Sequence, residues 1–266
     1  MVKKKKNKKR FLLKSLFFII KIPYYGFKGI SFLVKKSDKV IKKKRVMKKR
    51  SKLIPVYEDI KLIQSIEGNY KKWENSLIDS DSKIGVILGA RGSGKTAFGI
   101  KFLENLHAKT GKDCYAIGFK EEEMPSWIKI ASDISQLTND SFVLVDEGGI
   151  LFSSRNSMSS ANKFLSELIL VARHKNLNIF FISQNSSNLD VNILRQSDFL
   201  ILKPSSLLQK NFERKIIQKI YEEESDFFEK FKENKGLAYI YGDSFKGFIS
   251  NPLPSFWTSG ISKSFR

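Results

Sequence analysis

The sequence predicts an α/β fold in which a mostly parallel central sheet is flanked by helices. The first observation behind this is an apolar run at residues 84–88, which leads into the octet GARGSGKT and then into a helix-compatible run. The second is another apolar run, residues 142–145, which is closed by two acids. The third is that further apolar runs alternate with helical patterns, as in sheets whose parallel strands are joined by helices.

Charge divides the chain into a basic arm and a nearly neutral globule. Of its 48 Lys and Arg residues, 21 fall within residues 1–52, where Asp38 is the one acid. In the rest of the 266 residues, 27 Lys and Arg stand against 26 Asp and Glu. Cationic arms bind nucleic acid or anionic membrane surfaces. We therefore expect DNA and an anionic membrane surface as partners of residues 1–52.

An amphipathic pattern lies within this arm. Residues 11–34 are rich in Phe, Leu and Ile, but Lys14, Lys21 and Lys28 interrupt them at regular intervals. On a helix, this spacing places the lysines on one stripe, which is typical of a helix that lies in a membrane interface. A short spanning helix whose lysines reach the interface is the alternative.

Cysteine and histidine are scarce in this chain. Cys114 is the single cysteine and there are two histidines, so the sequence has neither a disulfide nor a thiolate metal cluster. This usage is typical of a reducing cytoplasmic compartment. The expected location is therefore cytoplasmic, with the arm on a membrane, in a host cell or associated with a virion.

Hydrophobic periodicity predicts the elements in chain order. Residues 53–82 are predicted to be a helical lead-in, because apolar residues from Ile60 to Trp73 recur at three- and four-residue steps. A domain over residues 83–250 follows, and the tail, residues 251–266, has no readable period. The predicted strands are 84–88, 114–119, 142–145, 178–184 and 198–202, with a terminal hairpin over 236–249. The predicted helices are 96–108 and 161–172, and 207–232 is mostly helical.

The octet at residues 89–96 fits the phosphate-binding loop G-x-x-x-x-G-K-[ST] at every fixed position. Its glycines let backbone N–H groups curl around a phosphate, and the following helix points its positive end at the same anion. Lys95 is predicted to reach the β- and γ-phosphates, and Thr96 to hold Mg²⁺. The predicted nucleotide-binding residues are Gly89, Ala90, Arg91, Gly92, Ser93, Gly94, Lys95, Thr96 and Ala97.

Two acids supply the second half of such a site. Asp146 and Glu147 close the apolar run at 142–145. Asp146 is predicted to hold the Mg²⁺ shell, and Glu147 to polarise the attacking water as general base. Gln184 ends another predicted strand, at the sheet edge where ligands bind in open α/β sheets. It is therefore placed to sense the γ-phosphate or the water.

Together these segments resemble the FtsK/HerA branch of P-loop ATPases, whose members move DNA. The resemblance covers residues 83–203 and rests on GARGSGKT, on FVLVDE and on residues 172–184. It implies a P-loop NTPase of the additional-strand (ASCE, RecA-like) type that hydrolyses ATP with Mg²⁺ and forms a hexameric ring around double-stranded DNA. It also implies that Arg173, on the active-site edge, is an arginine finger acting on a neighbour's nucleotide. Arg155 and Arg195 are the other candidates.

A narrower resemblance is to the zonular-occludens-toxin-like ATPases of filamentous-phage assembly. It adds the segment from residue 236 to residue 254, but the apolar basic segment here precedes the phosphate-binding loop rather than following the ATPase domain. This resemblance implies a membrane-docked ATPase that drives virion assembly or export. A nucleotide-switched binding protein is a third possibility, against which Glu147 counts because a switch needs no general base.

Overall fold

The computed structural model describes residues 44–80, 82–146, 148–150, 158–258 and 261. The chain divides into two compact units, Met1–Lys49 and Arg50–Arg266. The predicted amphipathic segment, residues 11–34, lies outside the described residues, and residues 44–50 are helical. Within the part of the chain that the structure describes, no helix combines the length and the apolar character that a membrane crossing requires.

A nine-stranded sheet forms the centre of the second unit, in the order β1-β9-β8-β7-β2-β6-β5-β3-β4. The strands are β1 (Lys61–Gly68), β2 (Ile84–Leu88), β3 (Cys114–Ile117), β4 (Ile128–Ile130), β5 (Phe142–Asp146), β6 (Asn178–Ile182), β7 (Phe199–Leu202), β8 (Leu237–Gly242) and β9 (Phe245–Ser250). The helices are α1 (Tyr70–Asp79), α2 (Lys95–Thr110), α3 (Met158–His174), α4 (Val191–Gln196), α5 (Leu207–Phe212), α6 (Lys215–Glu223) and α7 (Ser225–Lys230). Short 3-10 turns lie at Glu121–Glu123, Ile134–Gln136 and Ser186–Asn188.

The strands from β2 to β7 run parallel, whereas β8, β9 and β1 extend the sheet in antiparallel fashion. Strand β2 pairs with β6 on one side and β7 on the other. Strand β6 in turn pairs with β5, so one strand separates β2 from β5. The predicted mostly parallel sheet, in its additional-strand arrangement, is therefore confirmed. The carboxyl ends of the parallel strands meet at one edge, which we call the carboxyl edge.

Two apolar cores cover the two faces of this sheet. Because successive strand side chains point to opposite faces, Ile87 belongs to one core and Val86 and Leu88 to the other. Helices α1 and α2 cover the first face, where the Trp73 and Phe102 rings stack with centroids 6.1 Å apart. Helices α3, α4 and α6 contribute to the second. The sheet is thus flanked by helices on both faces.

The helical lead-in predicted for residues 53–82 is wrong in its first half. Only α1 is helical there, and residues 61–68 form β1, which pairs antiparallel with β9. The three-residue spacing of the isoleucines fits a helix, but Ile63 packs on the sheet core and Ile66 is exposed, as alternation along a strand requires. The free edge of β9 supplies the backbone hydrogen bonds that override the local pattern. The three-residue strand β4 was not predicted.

Candidate nucleotide site

The phosphate-binding loop joins β2 to α2 at the carboxyl edge, in the middle of the sheet. Helix α2 begins at Lys95, and its N-cap is Gly94 in the left-handed conformation with φ 87°. Gly89, the first residue of the loop, has φ 146°, and a Cβ there would come within 2.6 Å of the Lys203 Cβ. Only glycine fits both positions without strain. The backbone therefore curls tightly at the positive end of a helix, which is where anions bind.

Lys95 lies within this loop and is nearly buried, with 7% of its surface exposed. Its Nζ donates hydrogen bonds to the carbonyl oxygens of Gly89 (2.7 Å) and Ala90 (2.8 Å). Burial lowers the pKa of Lys95 to about 8, while the charges of Asp146 and Glu213 act in the opposite direction. The ammonium is therefore held against the loop, largely charged at neutral pH and close to two carboxylates.

Asp146, the last residue of β5, lies at the same edge and is 7% exposed. The backbone N–H of Gly149 donates to its Oδ1 at 3.3 Å. Burial raises the pKa of Asp146 to about 6, against the backbone N–H groups and the Lys95 charge, which lower it. At neutral pH this carboxylate is mostly ionised, so a cation bound beside it would be favourable. Glu147, the predicted general base, lies outside the described residues, as does Arg155.

These residues fit a Mg²⁺-nucleotide. Ser93 Oγ is buried and has no hydrogen-bond partner in the described part of the chain, so the loop holds a polar atom that a phosphate oxygen would satisfy. The half-buried Thr96 hydroxyl, in the first turn of α2, and the Asp146 carboxylate are oxygen ligands of the kind that Mg²⁺ prefers. The described residues contain no cluster of three or more His, Cys, Asp or Glu side chains able to hold a metal on its own. Mg²⁺ bound largely by waters and phosphates needs no such cluster.

Gln184 is exposed two residues beyond the end of β6, between the carboxyl ends of β2 and β5. The N–H of Ser183 donates to the Ile87 carbonyl at 3.0 Å, which extends the pairing of β6 with β2 up to this point. The Gln184 carbonyl accepts a hydrogen bond from the Gln209 side chain. Its place at the carboxyl edge agrees with the sequence, and its role as a sensor stays a prediction.

Arg173 is not on the active-site edge, contrary to the sequence-based expectation. It is exposed in the last turn of α3, which runs back from the carboxyl edge to the start of β6. Lys175, just beyond it, accepts at its carbonyl from the Asp140 N–H (2.9 Å) and donates from Nζ to the Leu137 carbonyl (2.8 Å), in the loop before β5. Arg195 precedes β7 and lies at this amino edge too. Action on a neighbour's nucleotide stays a prediction for both.

Two charged residues at the site were missed from the sequence. Glu213 is 4% exposed, accepts the Ser186 N–H at 2.7 Å and acts electrostatically on Lys95. It stands in a highly charged helical stretch, where nothing in the pattern distinguishes it. Lys203 is 1% exposed and lies beneath the loop. A lysine directly after an apolar strand was the one signal available for it.

Comparison with known proteins gives a likeness of fold. No family model and no curated protein matches the sequence. The genome packaging NTPase B204 from Sulfolobus turreted icosahedral virus 2, solved with AMP, has a TM-score of 0.43 and 20% identity; the match covers 65% of this chain and 99% of that one. The pCW3 conjugation coupling protein TcpA has 0.45 and 11%, covering 70% and 64%. The cytoplasmic domain of the type VII secretion ATPase EccC from Thermomonospora curvata has 0.41 and 11%, covering 66% and 24%.

Proposed function

We propose that this chain is an ATPase of the FtsK/HerA type whose hydrolysis cycle moves DNA, as in packaging, extrusion or transfer of a viral or mobile genome. The observation that carries the ATPase part is the presence of Lys95 and Asp146 together at the carboxyl edge of the sheet. Both are buried at the carboxyl edge, and each shifts the pKa of the other. A buried cation and a buried carboxylate beside a glycine-rich helix N-terminus are the two halves of a Mg²⁺-triphosphate site.

The residues of the site divide the work between them. The loop backbone from Gly89 to Gly94 and the Lys95 ammonium bind the phosphates and stabilise their negative charge. Thr96 and Asp146 hold Mg²⁺, which supplies Lewis-acid stabilisation of phosphoryl transfer when bound. Glu147 takes the proton of the attacking water, and Gln184 orients that water or the γ-phosphate. The last two roles rest on the sequence.

The DNA part of the proposal rests on the basic arm and on the sequence resemblance. Residues 1–52 carry 21 Lys and Arg against one acid. Such an arm neutralises phosphates and releases counterions, which gives tight, salt-dependent binding without sequence preference. If the trans-acting finger is Arg173 or Arg195, the amino edge of one subunit must face the carboxyl edge of the next in the ring, because both residues lie at the amino edge.

The alternative, a membrane-docked assembly ATPase, is favoured by one observation. Beyond the arm, 27 Lys and Arg are nearly balanced by 26 acids, so the globule carries little net charge for holding DNA in a pore. In that function residues 11–34 would anchor the protein to anionic lipid.

Steady-state ATPase rates of the full chain test both functions. The rate is measured alone, with duplex DNA, with single-stranded DNA and with anionic vesicles, at two salt concentrations. Stimulation by duplex DNA that declines with salt supports the DNA motor. Stimulation by anionic vesicles but by neither nucleic acid would replace it with the membrane-docked function. A Lys95→Ala variant controls for contaminating ATPases, and a wild-type rate no higher than this variant's in every condition refutes both.

A further inference from the structure

Lys203 is a buried cation without a counter-ion among the described residues. It follows β7 directly and is 1% exposed. Its Nζ donates to the Gly236 carbonyl (2.8 Å) and to Asn251 Oδ1 (3.0 Å), both of which are uncharged. Burying an ammonium without an opposite charge is costly, and lysines rarely do so unless paired.

A second buried lysine shows what ordinary pairing looks like in this protein. Lys101, on α2, has no exposed side-chain surface, but its Nζ lies 3.0 Å from the Glu104 carboxylate, which is equally buried. The Val56 carbonyl accepts a further hydrogen bond from it at 3.0 Å. Lys101 therefore carries its own counter-charge, and Lys203 differs from it in this respect.

The Lys203 side chain runs beneath the phosphate-binding loop. A Cβ at Gly89 would lie 2.6 Å from its Cβ, and a Cβ at Gly94 would lie 3.9 Å from its Cε. Its Nζ is 5.5 Å from the centroid of the Phe98 ring, in the first turns of α2. The stem of the side chain thus passes from the first glycine of the loop to the one that caps the helix, and the ammonium at its end bonds to Gly236 and Asn251.

The groups that face Lys203 in the described structure are neutral or positively charged, so none of them neutralises its ammonium. Burial lowers the pKa of Lys203 to about 7, and the charge of Lys95, from α2, lowers it further. From α6, Tyr221 donates its hydroxyl to the Lys203 carbonyl (2.8 Å) rather than to the ammonium. From the β8–β9 side come only the neutral acceptors Gly236 and Asn251. An anion bound at the loop would supply the counter-charge that these groups lack.

We propose that Lys203 is a positioning residue of the nucleotide site, whose buried stem supports the loop and whose ammonium takes its counter-charge from the bound triphosphate. This role rests on the nucleotide binding of the proposed function, and it adds Lys203 to Lys95 as a second cation at the nucleotide site. The bound polyphosphate favours the charged form of Lys203, so nucleotide binding takes up a proton. Affinity consequently falls as pH rises through 7, where the free protein loses that charge.

Calorimetry measures this proton directly. Binding of Mg²⁺-ATPγS to the full chain is measured at pH 7.0 in buffers of different ionisation enthalpy, which gives the number of protons taken up. Lys203 is expected to contribute more of this uptake than Lys95, because its pKa, about 7, lies below the pKa of Lys95, about 8. The share that belongs to Lys203 is the difference in proton count between the wild type and a variant that lacks its charge.

The variant Lys203→Met keeps the apolar stem and removes the charge. We expect it to lose most of the proton uptake, to bind Mg²⁺-ATPγS about tenfold more weakly at pH 7.0, and to show a flatter decline of affinity between pH 7 and pH 9 than the wild type. The ratio of the two proteins at each pH cancels the titration of the nucleotide. Lys210→Met, a change to a lysine of α5 above the Tyr221 ring, is the control and should leave the count unchanged.

Failure of the Lys203 role and failure of nucleotide binding give different results in these experiments. No net proton uptake by the wild type, or equal proton counts and parallel affinity curves for wild type and Lys203→Met, overturns the role of Lys203 and leaves nucleotide binding intact. If the wild type does not bind Mg²⁺-ATPγS at all, the proposed function and the role of Lys203 both fail.

Discussion

Replacing Asp146 with asparagine is expected to stabilise the nucleotide-free protein at neutral pH and to remove its response to Mg²⁺-nucleotide. Burial raises the pKa of this carboxyl from its ordinary 3.8 to about 6, so the folded protein holds its ionised form at a cost. A shift of about two pKa units corresponds to about 3 kcal/mol. Asparagine has nearly the same shape without the charge, so it avoids that cost.

The sign and the pH window follow from the direction of the shift. Above pH 6 the carboxyl is ionised in both the folded and the unfolded chain, and the full penalty is present. As pH falls through 6 toward 3.8, the folded protein takes up the proton first, and the penalty disappears. The Lys95 charge loses a partner in the variant, which offsets part of the gain. We therefore expect a gain of about 1–3 kcal/mol in unfolding free energy at pH 7.5 and about 0.5 kcal/mol or less at pH 4.

Urea unfolding of the full chain at several pH values measures this difference. Asp113→Asn is the matched control, because Lys129 lies 2.7 Å from Asp113 and lowers the pKa of that carboxyl, so its loss should destabilise the protein at pH 7.5. Addition of Mg²⁺-ATPγS should stabilise the wild type and leave Asp146→Asn unchanged. The reasoning is refuted if Asp146→Asn is less stable than the wild type at pH 7.5, since burial would then not oppose the charge.

The remaining predictions concern turnover, the loop and the finger. Glu147→Gln should lower kcat by about 100-fold or more while ATPγS affinity, measured by calorimetry, stays within about threefold. Gly89→Ala places a Cβ 2.6 Å from the Lys203 Cβ and should lower the melting temperature more than Gly92→Ala, whose Cβ meets nothing within 4 Å; equal losses would contradict this steric account. If Arg173 acts in trans, Arg173→Ala alone should be inactive, and mixing it with Lys95→Ala should restore ATPase activity. Arg173 would be excluded if mixing Arg173→Ala with Lys95→Ala restores no activity. It would also be excluded if activity returns only when Arg195→Ala, in place of Arg173→Ala, is mixed with Lys95→Ala.

The central part of the fold follows from the sequence because its signals are strong and local. Glycines are required at residues 89 and 94 by the backbone itself. The strands β2, β5 and β6 are buried along their whole lengths and carry polar side chains only at Asp146, which ends β5, and Asn178, which begins β6. Parallel strands that are covered on both faces must be apolar in this way, so their order along the chain could be predicted with the loop that joins β2 to α2.

The errors arose where long-range contacts decide the structure. Strand β1 exists because β9, far away in the sequence, offers it a free edge, which no local period reveals. Arg173 was placed on the wrong edge because spacing along the chain does not give the direction of a helix relative to the sheet. Strands β5 and β6 are parallel, so the chain leaves β5 at the carboxyl edge and must return to the amino edge before β6 begins. Helix α3 makes this return, and its last turn, which holds Arg173, therefore lies toward the amino edge. Lys203 becomes visible only when burial and its missing carboxylate partner are seen together.

The phosphate-binding loop is therefore held from two sides by different chemistry. Behind it, α2 is fixed by Glu104, which is fully buried and accepts hydrogen bonds from Val56 N–H (3.2 Å), Ser255 N–H (3.1 Å) and the Lys101 ammonium. These contacts are complete without a ligand. Beneath it, the stem of Lys203 lies against the loop, and its ammonium bonds to Gly236 and Asn251, which flank the β8–β9 hairpin, without an acidic partner among the described residues. The contacts of α2 are therefore the same with or without a nucleotide. If Lys203 has the proposed role, nucleotide binding instead changes the electrostatics on the side of the β8–β9 hairpin.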